Sequence, residues 1–266
     1  MVLSTIVLII SAAYLIFNIW IASWENQLDY EKLSDLVGEI PSSSVAKEVR
    51  SEDDAILPEF YLIYEKNYDL RGWLNVPGTN IDYPVVQTDN NKKYLDTDFF
   101  GNPNKNGSLF FDQSNLISKF NSSQCLVIYG HNMKTGQMFH ELVKYQDVEF
   151  YKKYPTLGMN TVYEWRGYKI FACFLAGSED ENFYNYRKFN FDNPKKFASF
   201  VNEIKDKSYF STSIDILDSD SILLLSTCSY EFKGARLVLA ARMIRPGEER
   251  SVVTSAATQK KSVDEE

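Results

Sequence analysis

Two apolar runs near the C-terminal end constrain the fold of this chain more than any other feature. The first, Ile222 to Leu225, is typical of a strand buried on both faces, and it leads directly to Cys228. A short loop then reaches Arg236, which opens the second run, Leu237 to Ile244. If the two runs pair antiparallel, the end of one lies beside the start of the other. The sequence therefore predicts a thiol and a guanidinium side by side at one edge of a sheet.

A histidine follows another buried run and completes a candidate site. His131 comes directly after the residues CLVIYG, so it too leaves the C-terminal end of a predicted strand. If that strand lies parallel and next to the one that carries Cys228, both side chains reach the same rim, with Arg236 beside them. A thiolate is a nucleophile, an imidazole can donate and accept a proton, and a guanidinium can stabilise an oxyanion. These residue types suit acyl transfer through a thioester.

The remaining cysteines and histidines are interpreted as structural. Cys125 and Cys173 lie inside apolar runs, where a cysteine is most often a small core residue, and His140 lies in a helical stretch. Three cysteines without a CxxC pair indicate neither a disulfide framework nor a zinc site, and only two histidines are present. We expect no metal site and no cofactor. The formal net charge of -8 argues against a nucleic-acid partner.

The central part of the chain has the pattern of a mainly β protein with accessory helices. Eight short runs are bounded by turn residues, which favours a closed barrel or a sandwich. A helix is expected where apolar residues recur on one face after an Asp-Asn-Pro start signal. The predicted strands are Gly72–Val76, Ile81–Gln87, Ser108–Asp112, Cys125–Gly130, Thr161–Trp165, Lys169–Ala176, Ile222–Thr227 and Leu237–Ile244, and the predicted helix is Lys195–Asp206.

The two ends of the chain are predicted to lie outside this domain. Residues 2–24 contain no charge and are long enough to cross a bilayer, so residues 1–24 are interpreted as an uncleaved transmembrane signal anchor. Residues 25–55 are expected to be a spacer, residues 56–246 the catalytic domain, and residues 247–266 a polar, disordered tail. This organisation predicts a single-pass plasma-membrane protein with an extracellular catalytic domain.

Three motifs together resemble the sortase family. They are LSTCSYEF, the arginine that opens the following strand, and YGHNM about a hundred residues upstream; Leu224 stands where the family's cysteine motif begins with threonine. Further segments, among them WLNVPGTNIDYPVVQ and GSLFFD, are similar to class B sequences. The resemblance implies an eight-stranded sortase-type β-barrel with N-terminal helices and a helix between strands six and seven. It also implies a calcium-independent cysteine transpeptidase.

The same resemblance implies roles for individual residues. Cys228 would attack the Thr carbonyl of an NPQTN-like sorting motif, His131 would act as acid and then base, and Arg236 would stabilise the oxyanion. An amine of the peptidoglycan cross-bridge would resolve the thioacyl-enzyme. The resemblance further implies that Asn91, Tyr129 and Ser226 line the substrate groove, although these residue types also occur as turn, core and strand residues.

Two other functions fit the residues. A cell-wall cysteine hydrolase would use water instead of an amine as acceptor. A non-catalytic surface-binding module would carry an incidental cysteine, no more reactive than Cys125 or Cys173. The residues alone support acyl chemistry at Cys228, whereas transpeptidation over hydrolysis depends on the resemblance.

Overall fold

The fold is a closed β-barrel with helices around it. The computed structural model describes residues 2–37, 55–119, 121–177, 186–228 and 235–261. The helical segments are α1 (Val2–Leu36), a 3-10 turn at Pro58–Phe60 that continues into α2 (Tyr61–Tyr64), 3-10 segments at Lys93–Leu95 and His140–Gln146, α3 (Val148–Lys153) and α4 (Pro194–Lys207). The strands are β1 (Leu70–Asn75), β2 (Asp82–Val86), β3 (Leu109–Phe111), β4 (Cys125–His131), β5 (Thr156–Thr161), β6 (Gly167–Gly177), β7 (Phe210–Ser211), β8 (Ile222–Cys228), β9 (Ala235–Met243) and β10 (Thr258–Gln259).

Eight strands close the barrel in the order β1-β2-β3-β4-β8-β9-β6-β5. This arrangement confirms the predicted eight-stranded barrel and decides against the sandwich. All seven residues of β4 are buried, because the barrel interior covers one face and surrounding segments cover the other. Closure leaves no free edge in the sheet, so the polar ends of the strands gather at the two rims.

The predicted strand Thr161–Trp165 is wrong. The strand at this place is β5, which ends at Thr161, and an isolated bridge joins Thr161 to Glu164 across a tight turn. Burial alternates residue by residue along β5, as expected for a strand with one face in the barrel. Only two of its three buried residues, Leu157 and Met159, are apolar, so the strand signal in the sequence was weak. The other seven predicted strands correspond to observed ones within a few residues at each end.

The predicted helix Lys195–Asp206 is confirmed as α4. Asn193 caps its N-terminus by accepting a hydrogen bond from the Lys196 backbone N–H, and Pro194 occupies the first turn. Its apolar face is buried against the barrel, and the four buried residues follow helical spacing: Phe197, Phe200, Val201 and Ile204. Along the chain it lies between β6 and β8, which are the sixth and seventh of the barrel strands in sequence order.

The N-terminal prediction is wrong. Among the helices in the described part of the chain, none combines the length and the apolar character needed to cross a bilayer. This finding contradicts the expected transmembrane anchor at residues 1–24. It also contradicts the predicted single-pass plasma-membrane location. The apolar run is the first part of one continuous helix, α1, which extends into the residues predicted as spacer. There Tyr30 and Leu33 are 3% and 2% exposed and belong to the core of the domain.

The C-terminal segment is ordered against the barrel through residue 261, contrary to the disordered tail predicted from residue 247. Its strand β10 pairs antiparallel with β7. Ala257 is buried, and Val252 packs against the core. Residues 262–266, and residues 38–54 of the predicted spacer, lie outside the described residues.

Candidate active site

The main chain places His131 next to Cys228. Strands β4 and β8 pair in parallel over seven residues, from Cys125 opposite Ile222 to His131 opposite Cys228. Both strands are continuous apolar runs, so each is stable in the middle of the sheet, and both end at the same rim. The predicted parallel pairing is therefore confirmed at the level of the backbone. The side chain of Cys228 and residues 229–234 lie outside the described part of the structure.

Arg236 reaches the same rim from the other side of β8. Strands β8 and β9 pair antiparallel, and their last pair before the loop is Ser226 with Val238. Two residues further along the same register, Arg236 is level with Cys228. Beyond the last pair, the Leu237 backbone N–H donates to the Thr227 hydroxyl at 3.0 Å, so a side chain continues the ladder of hydrogen bonds. The backbone of Arg236 also pairs with Ala176 of β6, so the main chain at this position lies between two strands.

A backbone carbonyl orients the His131 ring. His131 is only 8% exposed, and its Nε2 lies 2.6 Å from the carbonyl oxygen of Leu95. A carbonyl oxygen can only accept, so Nε2 carries a proton in this contact. In the neutral imidazole Nδ1 is then the basic nitrogen. The Leu95 carbonyl belongs to the 3-10 segment Lys93–Leu95, which follows the loop containing Asn91.

The three predicted groove residues take part in two sets of hydrogen bonds near the rim, one at Asp112 and one at Ser226. Tyr129 is two residues before His131 on β4 and pairs with Ser226, which is two residues before Cys228 on β8. The Ser226 hydroxyl is 2.8 Å from the Tyr186 hydroxyl, and the Tyr129 hydroxyl donates to Asp112 at 2.8 Å. Asn91 also donates to this carboxylate, at 3.1 Å.

Tyr129 keeps its phenol proton throughout the neutral range. Burial raises its pKa well above the usual value, and the nearby Tyr186 and Asp112 raise it further. At neutral pH the hydroxyl is therefore a hydrogen-bond donor to the carboxylate, and it does not supply a negative charge to the site.

The other two cysteines are core residues, as predicted. Cys125 and Cys173 are free thiols with no exposed surface. Burial raises the pKa of both thiols, so neither provides a thiolate at neutral pH. His140 is assigned a structural role on similar grounds, since its Nδ1 lies 2.7 Å from the Asn132 side-chain oxygen.

Three contributors to this region were not found from the sequence. The Leu95 carbonyl gives no sequence signal, because every residue has one. Asp112 had a usable signal, since a carboxylate directly after the buried strand β3 must find partners if it stays charged. Tyr186 follows a stretch with no clear periodicity, so its contact with Ser226 could not be expected.

Comparison with known proteins connects this geometry to a family. The family model described as Sortase domain matches residues 74–244. Sortase B of Staphylococcus aureus is 28% identical over 242 residues, covering 90% of this chain and 93% of that protein. Sortase B of Listeria monocytogenes is 28% identical over 223 residues, covering 83% and 87%. The solved Staphylococcus aureus sortase B-substrate complex matches with a TM-score of 0.72 at 27% identity, covering 83% of this chain and 97% of that one. The chain belongs to the sortase family, as a class B sortase with the eight-stranded sortase barrel, and it is a cysteine transpeptidase.

Proposed function

We propose that this protein cleaves an NPQTN-like sorting signal after its Thr residue and transfers the new acyl end to a cell-wall amine. The observation that carries the proposal is the register of three strands, which puts His131, Cys228 and Arg236 level at one rim. A related sortase B has been solved as a substrate complex, which supports a peptide substrate for this chain as well. The amine acceptor is assigned from the chemistry of the family's transpeptidation.

The proposed acylation uses all three residues. The Cys228 thiolate attacks the Thr carbonyl carbon, a C–S bond forms, and the carbonyl electrons move to oxygen, where Arg236 stabilises the negative charge. Collapse of this intermediate breaks the Thr amide bond. His131 begins this step as the imidazolium, having taken the Cys228 thiol proton on Nδ1, and it gives that Nδ1 proton to the leaving nitrogen. The products of this half-reaction are a thioester on Cys228 and a free amine.

The proposed second half-reaction reverses these roles. An incoming amine attacks the thioester carbonyl, and His131 accepts its proton. The C–S bond breaks, the thiolate of Cys228 is regenerated, and a new amide bond joins Thr to the acceptor. Because Nε2 of His131 is directed at the Leu95 carbonyl, Nδ1 is the nitrogen assigned to both proton transfers.

A fluorogenic peptide that contains Asn-Pro-Gln-Thr-Asn tests the proposal with the full chain, in the presence and absence of triglycine. We expect cleavage, a ligated peptide-triglycine product by mass spectrometry, and loss of cleavage by at least about a thousandfold in Cys228→Ala. The matched control is Cys173→Ala, which removes a buried thiol and should keep activity.

Each alternative function has its own result in this experiment. Cleavage that never yields a triglycine adduct would identify a hydrolase. Full cleavage by Cys228→Ala would exclude Cys228 as the nucleophile. Iodoacetamide labelling of Cys228 no faster than that of the buried thiols would favour a binding module.

A further inference from the structure

Asp112 is a buried carboxylate near the rim that the acyl-transfer steps do not use. It directly follows β3, and its side chain is fully buried. A charged group in such a place needs partners, because moving one ion out of water into the protein costs on the order of several kcal/mol. One carboxylate oxygen accepts from the Ser114 backbone N–H at 2.8 Å. The other accepts from side chains on three separate segments of the chain.

Those three side chains come from different sides of the site. The Tyr129 hydroxyl donates at 2.8 Å from β4, the Asn91 amide donates at 3.1 Å, and Arg187 approaches at 3.4 Å. Arg187 is 54% exposed, so it joins the buried carboxylate to the protein surface. Its neighbour Tyr186 contacts Ser226 of β8. A single carboxylate therefore connects the segments on both sides of the strand that ends in His131.

Both polar atoms of the Asn91 side chain make hydrogen bonds. Its amide nitrogen donates to Asp112, and its oxygen accepts from the Gln113 backbone N–H at 2.7 Å. Gln113 Oε1 in turn accepts from the Asn91 backbone N–H at 3.2 Å. These bonds decide which way the amide points. The same loop leads within four residues to Leu95, whose carbonyl oxygen contacts His131.

We propose that Asp112 is a positioning residue for peptide cleavage, which fixes the Asn91 amide and the Tyr129 hydroxyl at the edge of the substrate site. It does not touch the reacting atoms. It acts through Asn91 and Tyr129, which the resemblance to class B sortases implies line the substrate groove, so the inference depends on the proposed function for its kinetic test. A carboxylate is needed because four donors converge on two oxygens, and only an ionised carboxylate accepts from all of them without offering a proton of its own.

The kinetic test compares Asp112→Asn with Asp220→Asn. Asp220 is also buried, at 5% exposure, but it bonds to Arg245 in a charge cluster away from the rim, so its variant controls for lost stability. We expect Asp112→Asn to lower kcat/KM for the Asn-Pro-Gln-Thr-Asn peptide by about 10–100-fold, mainly through a higher KM, with Asp220→Asn within about threefold of the wild type. Iodoacetamide labelling of Cys228 should keep its rate in both variants.

Double variants show whether Asp112 acts through its partners. If it does, Tyr129→Phe and Asn91→Ala should each lower kcat/KM less in the Asp112→Asn background than in the wild type. Fully additive effects, equal losses in Asp112→Asn and Asp220→Asn, or a normal KM in Asp112→Asn would each overturn the inference.

A second readout is independent of turnover. The side-chain amide resonances of Asn91, assigned by their loss in Asn91→Ala, should shift and exchange faster with solvent in Asp112→Asn but not in Asp220→Asn. Unchanged resonances would overturn the inference. If the wild-type protein leaves the peptide uncut while these resonances change as expected, the proposed function fails and the positioning of Asn91 by Asp112 stands.

Discussion

Gly107 lies against the carbonyl that orients His131. Its φ is +58°, in the left-handed region, and a Cβ placed on it would come within 2.7 Å of the Leu95 carbonyl oxygen and closer still to that of Tyr94. Both neighbours are backbone atoms, so they cannot rotate away as the end of a side chain can. A side chain at this position must push the Lys93–Leu95 segment, and with it the acceptor of the His131 bond at 2.6 Å.

We therefore expect Gly107→Ala to lower kcat/KM for peptide cleavage by about tenfold or more, because the His131 ring loses its orientation. The matched control is Gly101→Ala. Gly101 also has a positive φ, of +88°, but a Cβ there meets nothing within 4 Å. Both variants carry the cost of a left-handed alanine, about 1–2 kcal/mol. Kinetics and melting temperature of the two variants check the prediction, and equal activity would contradict it.

At the scale of single elements, the C-terminal segment holds two helices. Gln259 of β10 accepts from the Val148 backbone N–H at 2.9 Å, at the start of α3, and donates to the Gln146 carbonyl at 2.8 Å. Lys260 donates to the Lys205 carbonyl at 2.9 Å, in the last turn of α4. A cation at a helix C-terminus satisfies carbonyls that have no partner within the helix. The segment thus acts as a clamp on both helices.

Removal of the Gln259 amide should therefore destabilise the domain. Gln259→Ala loses three hydrogen bonds that involve backbone groups, the third being donated to the Lys261 carbonyl at 2.7 Å, and we expect the free energy of unfolding to fall by about 1–3 kcal/mol. Urea denaturation measures this. Val253→Ala is the control, since Val253 is 76% exposed and its truncation should change stability by less than about 0.5 kcal/mol. A loss in Gln259→Ala no larger than in the control would show that the clamp contributes nothing.

The strands of the site could be predicted because their signal is local. β4 and β8 are continuous apolar runs with a polar residue at the end, and such runs pair in the buried middle of a sheet. The Gln259 contacts and the Leu95 carbonyl left no such signal. The Gln259 partners at the start of α3, Val148 and Gln146, are more than 100 residues away, and a main-chain oxygen is the same in every residue. The continuous helix α1 shows a further limit, because an apolar run does not by itself reveal where its helix ends.

On the scale of the whole molecule, β9 joins two polar regions. Arg236 lies at the rim with Cys228, and Arg242, six residues further along the strand, lies about 20 Å away. Arg242 is 1% exposed and makes two bonds to Glu248, at 2.6 and 2.7 Å. Lys169 of β6 donates to the same carboxylate at 2.8 Å. This cluster ties β6, β9 and the start of the C-terminal segment together, at a distance from the chemistry.

Glu248 makes the stability of the barrel depend on pH. The hydrogen bonds from Arg242, and then from Lys169 and the Arg245 backbone N–H, hold the pKa of its carboxyl well below the usual range. A carboxyl whose pKa is lower in the folded than in the unfolded state stabilises the fold fully above the unfolded pKa, about 4.3, and loses this contribution as the pH falls further. We expect Glu248→Gln to lower the melting temperature by about 5 °C at pH 6, from the loss of a pair worth about 2 kcal/mol.

The difference between the wild type and Glu248→Gln should then shrink as the pH falls from about 4 towards 2, because in this range the carboxyl of the unfolded wild type is protonated while that of the folded protein stays ionised, so unfolding takes up a proton and is favoured by acid. Glu249→Gln is the matched control, since Glu249 is the exposed neighbour and bonds to Ser251. It should leave the melting temperature within about 1 °C of the wild type at pH 6. Calorimetry between pH 6 and pH 2.5 measures all three proteins. A Glu248→Gln deficit that stays constant over this range would mean that Glu248 acts through packing and not through its charge.

Peptide cleavage at pH 7 should be equal in the three proteins below their melting transitions, because the cluster and the rim lie at opposite ends of β9.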